Sequence, residues 1–169
     1  MNTMRNICFL TKDGKSVPKS EWRTGSKRGL EWDADDGPHR LAYDFAIGVC
    51  IAPLQDAFVL DFPKWPDAPF QHPNNAAIYN ADGSLRCQLI PPPALARSLP
   101  GTTLTPEQIH RMQPDGFWNV GCGRGDGIED GETPWMWAHI GYGYDTFECR
   151  YFDPRTGKFD DEHFSVGRL

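Results

Sequence analysis

Six of the seventeen glycines in this 169-residue chain directly follow an aspartate: Asp13-Gly14, Asp36-Gly37, Asp82-Gly83, Asp115-Gly116, Asp126-Gly127 and Asp130-Gly131. Gly reaches positive φ with no Cβ clash, and Asp can accept a hydrogen bond from the backbone two residues ahead, so the pair favours tight reversals. Between alternating apolar runs such a pair marks a β-hairpin. Fifteen Pro work in the same direction, since Pro is excluded from helix interiors and central strands. The sequence therefore predicts a mainly β fold: antiparallel sheets built of hairpins and a C-terminal meander, with one or two short helices, α+β at most.

A chain of this length suits one domain, residues 1–169, with a core that needs no disulfide or metal. Six Trp and ten Phe argue against disorder. The longest apolar stretch, residues 45–60, is broken by Pro53, Gln55 and Asp56 and is too interrupted to span a bilayer as a helix. The first residues, Met1-Asn2-Thr3-Met4-Arg5-Asn6, lack the apolar core of a secretory signal, so a cytoplasmic protein is expected. The five cysteines (Cys8, Cys50, Cys87, Cys122, Cys149) are odd in number and never arranged Cys-x-x-Cys, which predicts reduced thiols.

Charge is unevenly spread. Residues 1–28 carry seven Lys/Arg against two acids, a local +5, while the remainder carries ten basic and twenty-one acidic residues, a local −11. Acids cluster at Asp33-Asp35-Asp36, at Asp126-Glu129-Asp130-Glu132 and at Asp160-Asp161-Glu162. An acidic surface disfavours nucleic acid, whose phosphates need a basic footprint, and suits a basic protein partner. The segment from Phe62 to Phe70 holds three prolines and is expected to be extended. Its aromatics either clamp the fold's own sheet edge or are offered to a partner. The candidate partner-binding residues are therefore Trp65, Phe70, Asp126, Glu129, Asp130 and Glu132.

Along the chain, residues 5–10, 41–52 (interrupted at Gly48) and 57–60 read as strands, and Ser16–Arg28 as a loop. The clearest hairpin runs from Asn75–Tyr79 through Asn80-Ala81-Asp82-Gly83 to Ser84–Ile90. Helices are expected at 93–99 and 105–112, the second opened by a capping-box pattern, Thr105-Pro106-Glu107-Gln108. In the C-terminal third, Met136, Ala138, Ile140 and Tyr142 alternate with Trp137, His139 and Gly141. Phe147, Cys149 and Tyr151 then alternate with Glu148 and Arg150, and Asp153-Pro154-Arg155-Thr156-Gly157 is a turn before a further strand.

The run Val120-Gly121-Cys122-Gly123-Arg124-Gly125-Asp126-Gly127 is the nearest thing to a chemical motif. It lacks the Lys-Ser/Thr end of a phosphate-binding loop and the glycine spacing of a dinucleotide fingerprint, so it reads as an inter-strand loop. Cys122 would be a nucleophile only with a base such as His110 or His139 brought to it. The acids Asp126, Glu129, Asp130 and Glu132 do not follow the spacing of a calcium loop, and the five histidines are scattered. No metal, cofactor or catalytic residue is assigned.

The stretches Asn75–Arg86 and Tyr151–Phe159 resemble small bacterial β-rich proteins of unassigned function, among them immunity proteins paired with secreted polymorphic toxins. That resemblance implies a cytosolic, acidic, non-catalytic module that occludes a partner protein. The alternatives are a small hydrolase using Cys122 or a His/carboxylate pair, and a small-molecule-binding β-sandwich or barrel with Trp118, Trp135 and Trp137 lining a pocket.

Overall fold

Residues 2–123, 131–143 and 145–168 are described by the computed structural model. Its strands are β1 (Arg5–Leu10), β2 (Ser16–Pro18), β3 (Lys27–Ala34), β4 (Gly37–Ile51), β5 (Ala57–Asp61), β6 (Ala76–Asn80), β7 (Leu85–Leu89), β8 (Gly116–Cys122), β9 (Met136–Gly141), β10 (Thr146–Asp153) and β11 (Lys158–Arg168). The single described helix is α1 (Pro106–His110). One sheet has seven strands in the order β2-β1-β3-β4-β5-β6-β7, the other four in the order β11-β10-β9-β8. Every pairing is antiparallel, as the turn chemistry predicts. Asp13-Gly14, Asp36-Gly37 and Asp82-Gly83 turn β1 into β2, β3 into β4 and β6 into β7. Asp115-Gly116 instead leads from α1 into β8, and the last two pairs fall wholly or partly outside the described residues.

The fifteen-residue β4 organises the larger sheet. Residues from Gly37 to Ile47 pair with β3, and from Gly48 onward the strand pairs with β5 on its other edge. The expected interruption at Gly48 is thus a change of partner within one continuous strand. One core is shared by residues of β1, β3, β4 and β5. Trp32 of β3 packs edge-on against Phe58 of β5 at 5.0 Å and donates its Nε1–H to the Ala81 carbonyl at 2.6 Å. Phe45, Ile47, Leu60 and Phe62 fill the same core. A second core lies between β5–β7 and the four-stranded sheet and contains Val59, Ile78, Leu89, Phe117, Ile140 and Phe152. All five residues of β5 are buried because each face of that strand serves a different core, which is why it reads as an unbroken apolar run.

Three local expectations are corrected. Ser16–Arg28 is not all loop, since Ser16–Pro18 pairs with β1 and Lys27 already pairs with Ile47. Val120, Gly121 and Cys122 are strand, held by pairing to Ala138, Trp137 and Met136, and the inter-strand connection begins only after Cys122. Residues 93–99 form no helix. Their backbone groups are claimed by side chains of the smaller sheet. Leu95 and Ala96 donate their N–H groups to Glu148 Oε1 at 2.8 and 2.7 Å, Pro93 accepts from Arg150 Nη1 at 3.1 Å, and Pro92 accepts from the Tyr142 hydroxyl at 2.7 Å. The helix at 105–112 is present, shortened to α1, with both halves of its capping box formed.

Simple patterning on β10 would bury Phe147, Cys149 and Tyr151. The structure turns the strand over, so that Glu148 and Arg150 are fully buried and ion-paired at 3.1 Å. The aromatic set lies on the outer face with Trp118, Trp137 and His139. There each large ring rests where a glycine leaves room: Trp118 on Gly141, Trp137 on Gly121 and Phe147 on Gly167.

Candidate functional site

The two sheets meet along a seam between β4–β5 and β8, and the chemistry-bearing residues gather at its two ends. At one end, β5 leads into the proline-rich segment and β8 begins. Asn75 joins the sheets there, donating from Nδ2 to the carbonyls of Phe62 (2.7 Å) and Phe117 (2.9 Å) and accepting from the Phe117 N–H at 2.8 Å. His72 lies alongside, with Nδ1 2.8 Å from the Asp115 carbonyl oxygen. A cleft of about 550 Å³ opens between Gly48, Asp61, Lys64, His72 and Trp118. Asp61 is buried in its wall, opposite Gly48, whose missing side chain makes the room its carboxyl occupies. Burial raises its pKa to about 6, against the lowering effects of the Gly48 N–H and the charge of Lys27.

The candidate aromatics belong to this end. Trp65 is 48% exposed and lies against Phe45 with ring centroids 6.0 Å apart. Phe70 is half-buried and packs on Phe62, also at 6.0 Å. The segment clamps its own sheet through Phe62 and Phe70 while leaving one face of Trp65 to solvent.

At the other end β8 finishes, β9 starts, and the β10–β11 turn comes alongside. Here Thr133, Trp135, Asp153, Lys158, Asp160 and His163 line a second cleft of about 570 Å³, which Asp161 and Glu162 extend. The acid cluster at 160–162 is thereby carried next to the residues that open β9. Arg155 reaches back from the turn, donating to Thr133 Oγ1 at 3.4 Å and pairing with Asp153 at 2.9 Å. His163 Nδ1 lies 2.9 Å from Asp160 Oδ1. Burial alone would raise the Asp160 pKa, but hydrogen bonds from His163 and Glu162 hold it below the usual carboxylate value. Glu132 is exposed and immediately precedes Thr133, while Asp126, Glu129 and Asp130 lie outside the described residues.

Trp65 and Phe70 therefore sit at the opposite end of the seam from Glu132, a strand length of roughly 20 Å away. The three tryptophans of the pocket reading also separate. Trp118 borders the Asp61 cleft, Trp135 the acidic cleft, and Trp137 lies on the outer face, its ring tilted against that of His139 at 4.8 Å.

Cys122 lies at the acidic end. Its Sγ is 2.7 Å from the Ile51 carbonyl oxygen and 2.8 Å from the Sγ of Cys50. Neither candidate base is among its partners. His110 Nδ1 faces the Ala94 carbonyl at 3.4 Å, and His139 is held between Trp137 and Phe147 on the outer face, where burial lowers its pKa. Among the described residues no group of three or more His, Cys, Asp or Glu is placed to hold a metal ion. Sequence reading missed Asp61 and the Cys50–Cys122 contact. Neither carries a local signal, because both arise from strands distant in the chain.

No protein-family model matches the sequence, and no curated protein matches it. A chain in a solved structure, that of Tne2 in complex with Tni2, has the same fold: the TM-score is 0.64 over 99% of both chains, at 8% sequence identity.

Proposed function

We propose that this chain is a protein-binding module of the immunity type, a non-catalytic inhibitor that occludes a secreted bacterial toxin. The observation that carries the reading is the acidic cleft. The acids at 160–162 gather at a site walled by Trp135, and Glu132, from a second acid cluster distant in sequence, is exposed and immediately precedes Thr133 of its lining. Such a surface combines an aromatic anchor with a field that attracts a basic partner. The resemblance of two sequence stretches to immunity proteins supports it. So does the shared fold, since the similar chain comes from a complex of two proteins. Trp65 offers a second, separate contact. The Cys122 hydrolase reading gains nothing, because the thiol's neighbours are a carbonyl and another thiol rather than a base.

Affinity capture from the native host, followed by expression of each captured protein alone and with this chain, tests the proposal. A partner that arrests growth alone, and is tolerated when this chain is co-expressed, is the expected result. If no captured protein is toxic, the inhibitor reading fails. With a partner in hand, neutralising Asp126, Glu129, Asp130 and Glu132 to their amides should slow association about tenfold and flatten its salt dependence, with little change in dissociation. Unchanged association rates would remove the electrostatic part.

A further inference from the structure

Cys50 on β4 and Cys122 on β8 stand 72 residues apart in sequence and on different sheets, yet their sulfurs are 2.8 Å apart. That is well inside the contact distance of two unbonded sulfur atoms. Both are free thiols. Cys122 is exposed and Cys50 half-buried, so Cys122 is the more accessible of the two. The remaining cysteines are placed differently. Cys8 and Cys87 direct their thiols at the backbone carbonyls of Asn6 and Thr156. Cys149 sits mid-strand on the outer face, opposite His139 and Ser165.

We propose that Cys50 and Cys122 form a reversible disulfide that cross-links the two sheets, closed by thiol–disulfide exchange with an oxidised low-molecular-weight thiol such as glutathione disulfide. The bond requires the sulfurs to approach by less than about 1 Å, toward the usual length of about 2.05 Å. Both residues are strand-held, so side-chain rotation rather than backbone movement supplies the approach.

The steps come from the asymmetry of the pair. The hydrogen bond between the thiols pushes the Cys50 pKa up and draws the Cys122 pKa down, with Lys19 adding to the latter. Cys122, exposed and with its pKa drawn down, is the sulfur that attacks once deprotonated. Its sulfur attacks one sulfur of glutathione disulfide, breaking that S–S bond and releasing one glutathione thiolate, which takes up the proton Cys122 gave to solvent. Cys50 then loses its proton and attacks the Cys122 sulfur of the mixed disulfide, expelling the second glutathione. Two electrons leave the protein dithiol and reduce glutathione disulfide to two glutathione molecules. Reduced glutathione in excess reverses the sequence.

The test uses the full chain, purified reduced and equilibrated in glutathione buffers of increasing oxidised fraction, and needs no binding partner. The expected product is lighter by two hydrogen atoms, keeps three of five cysteines open to maleimide after denaturation, and yields one linked peptide pair containing Cys50 and Cys122. The cross-link closes a long loop, so the oxidised chain should melt about 10 °C higher than the reduced one. Cys50→Ser should instead accumulate one glutathionyl group on Cys122. A wild-type chain that retains glutathione on Cys122, links other cysteines, or melts lower when oxidised would overturn the proposal.

Discussion

Asp61 shows how one residue can set the pH response of a fold. Its carboxyl is buried at the mouth of a cleft, with Oδ2 lacking a hydrogen-bond partner among the described residues, and the small Gly48 opposite is what admits it. Its folded pKa of about 6 lies above the ordinary value of an unfolded aspartate. The folded state therefore binds the proton more tightly, and the resulting stabilisation is fully present below about pH 4 and lost as the pH rises through 6. A shift of this size is worth about 3 kcal/mol between those limits. Asp61→Asn keeps the acceptor that faces the Gly48 N–H and removes the titration. Urea midpoints measured from pH 4 to pH 7 should fall for the wild type relative to the variant, with most of the divergence between pH 4 and 6. Parallel pH profiles would show that Asp61 is solvated and unperturbed. Nothing near Asp61 in sequence announces this behaviour. The carboxylate sits at the end of a strand that reads Ala-Phe-Val-Leu-Asp, and its burial depends on β8, a strand remote in the chain.

At the scale of elements, what is legible in the sequence is what local chemistry dictates. The three Asp-Gly hairpin turns, the capping box of α1 and the alternation of β9 all depend on neighbours in sequence and appear as expected. The segment from Phe62 to Phe70, expected to be extended, instead bends through turns in which Trp65 and Ala68 donate their N–H groups to the Pro63 and Trp65 carbonyls at 2.8 and 3.1 Å. The segment at 93–99 reads as helix in sequence but is not one, because its partners are remote. It has apolar spacing and good helix formers, but Glu148, Arg150 and Tyr142 satisfy its backbone from across the core. The same contacts explain how β10 tolerates two fully buried charges. Glu148 accepts two backbone N–H groups and pairs with Arg150, which also donates to the carbonyls of Pro93 and Asp160. Glu148→Ala would leave the buried guanidinium only the exposed Asp161 carboxylate, 3.7 Å away, and strand the Leu95 and Ala96 N–H groups. A loss of about 3–5 kcal/mol in urea unfolding is expected. Hydrogen exchange should speed first at Leu95 and Ala96. A loss below about 1 kcal/mol would mean that the segment is held by packing alone. The candidate site is legible only in part: the acid clusters are visible in sequence, but the approach of residues 160–162 to Thr133 and Trp135 depends on the β9-β10-β11 register.

For the whole molecule, the decisive element is β5, which belongs to two cores. Val59 points into the core shared with the four-stranded sheet, and Leu60 points into the core shared with β1, β3 and β4; both are fully buried. A chain of two separable units would keep such cores apart, whereas one strand serving both couples them: loosening either face removes the support of the other. The chain should therefore unfold as a single cooperative unit, with calorimetric and van't Hoff enthalpies equal. Leu60→Ala deletes buried methyl groups and should cost about 2–5 kcal/mol, and Val59→Ala somewhat less. The informative readout is the shape of the transition. Trp32 reports on the first core and Trp135, with no wall in common, on the second sheet. With the other tryptophans replaced by Phe, each reporter should show the same lowered midpoint for both variants. If Leu60→Ala moved only the Trp32 signal and Val59→Ala only that of Trp135, the cores would be independent, and β5 a shared boundary rather than the coupling between them.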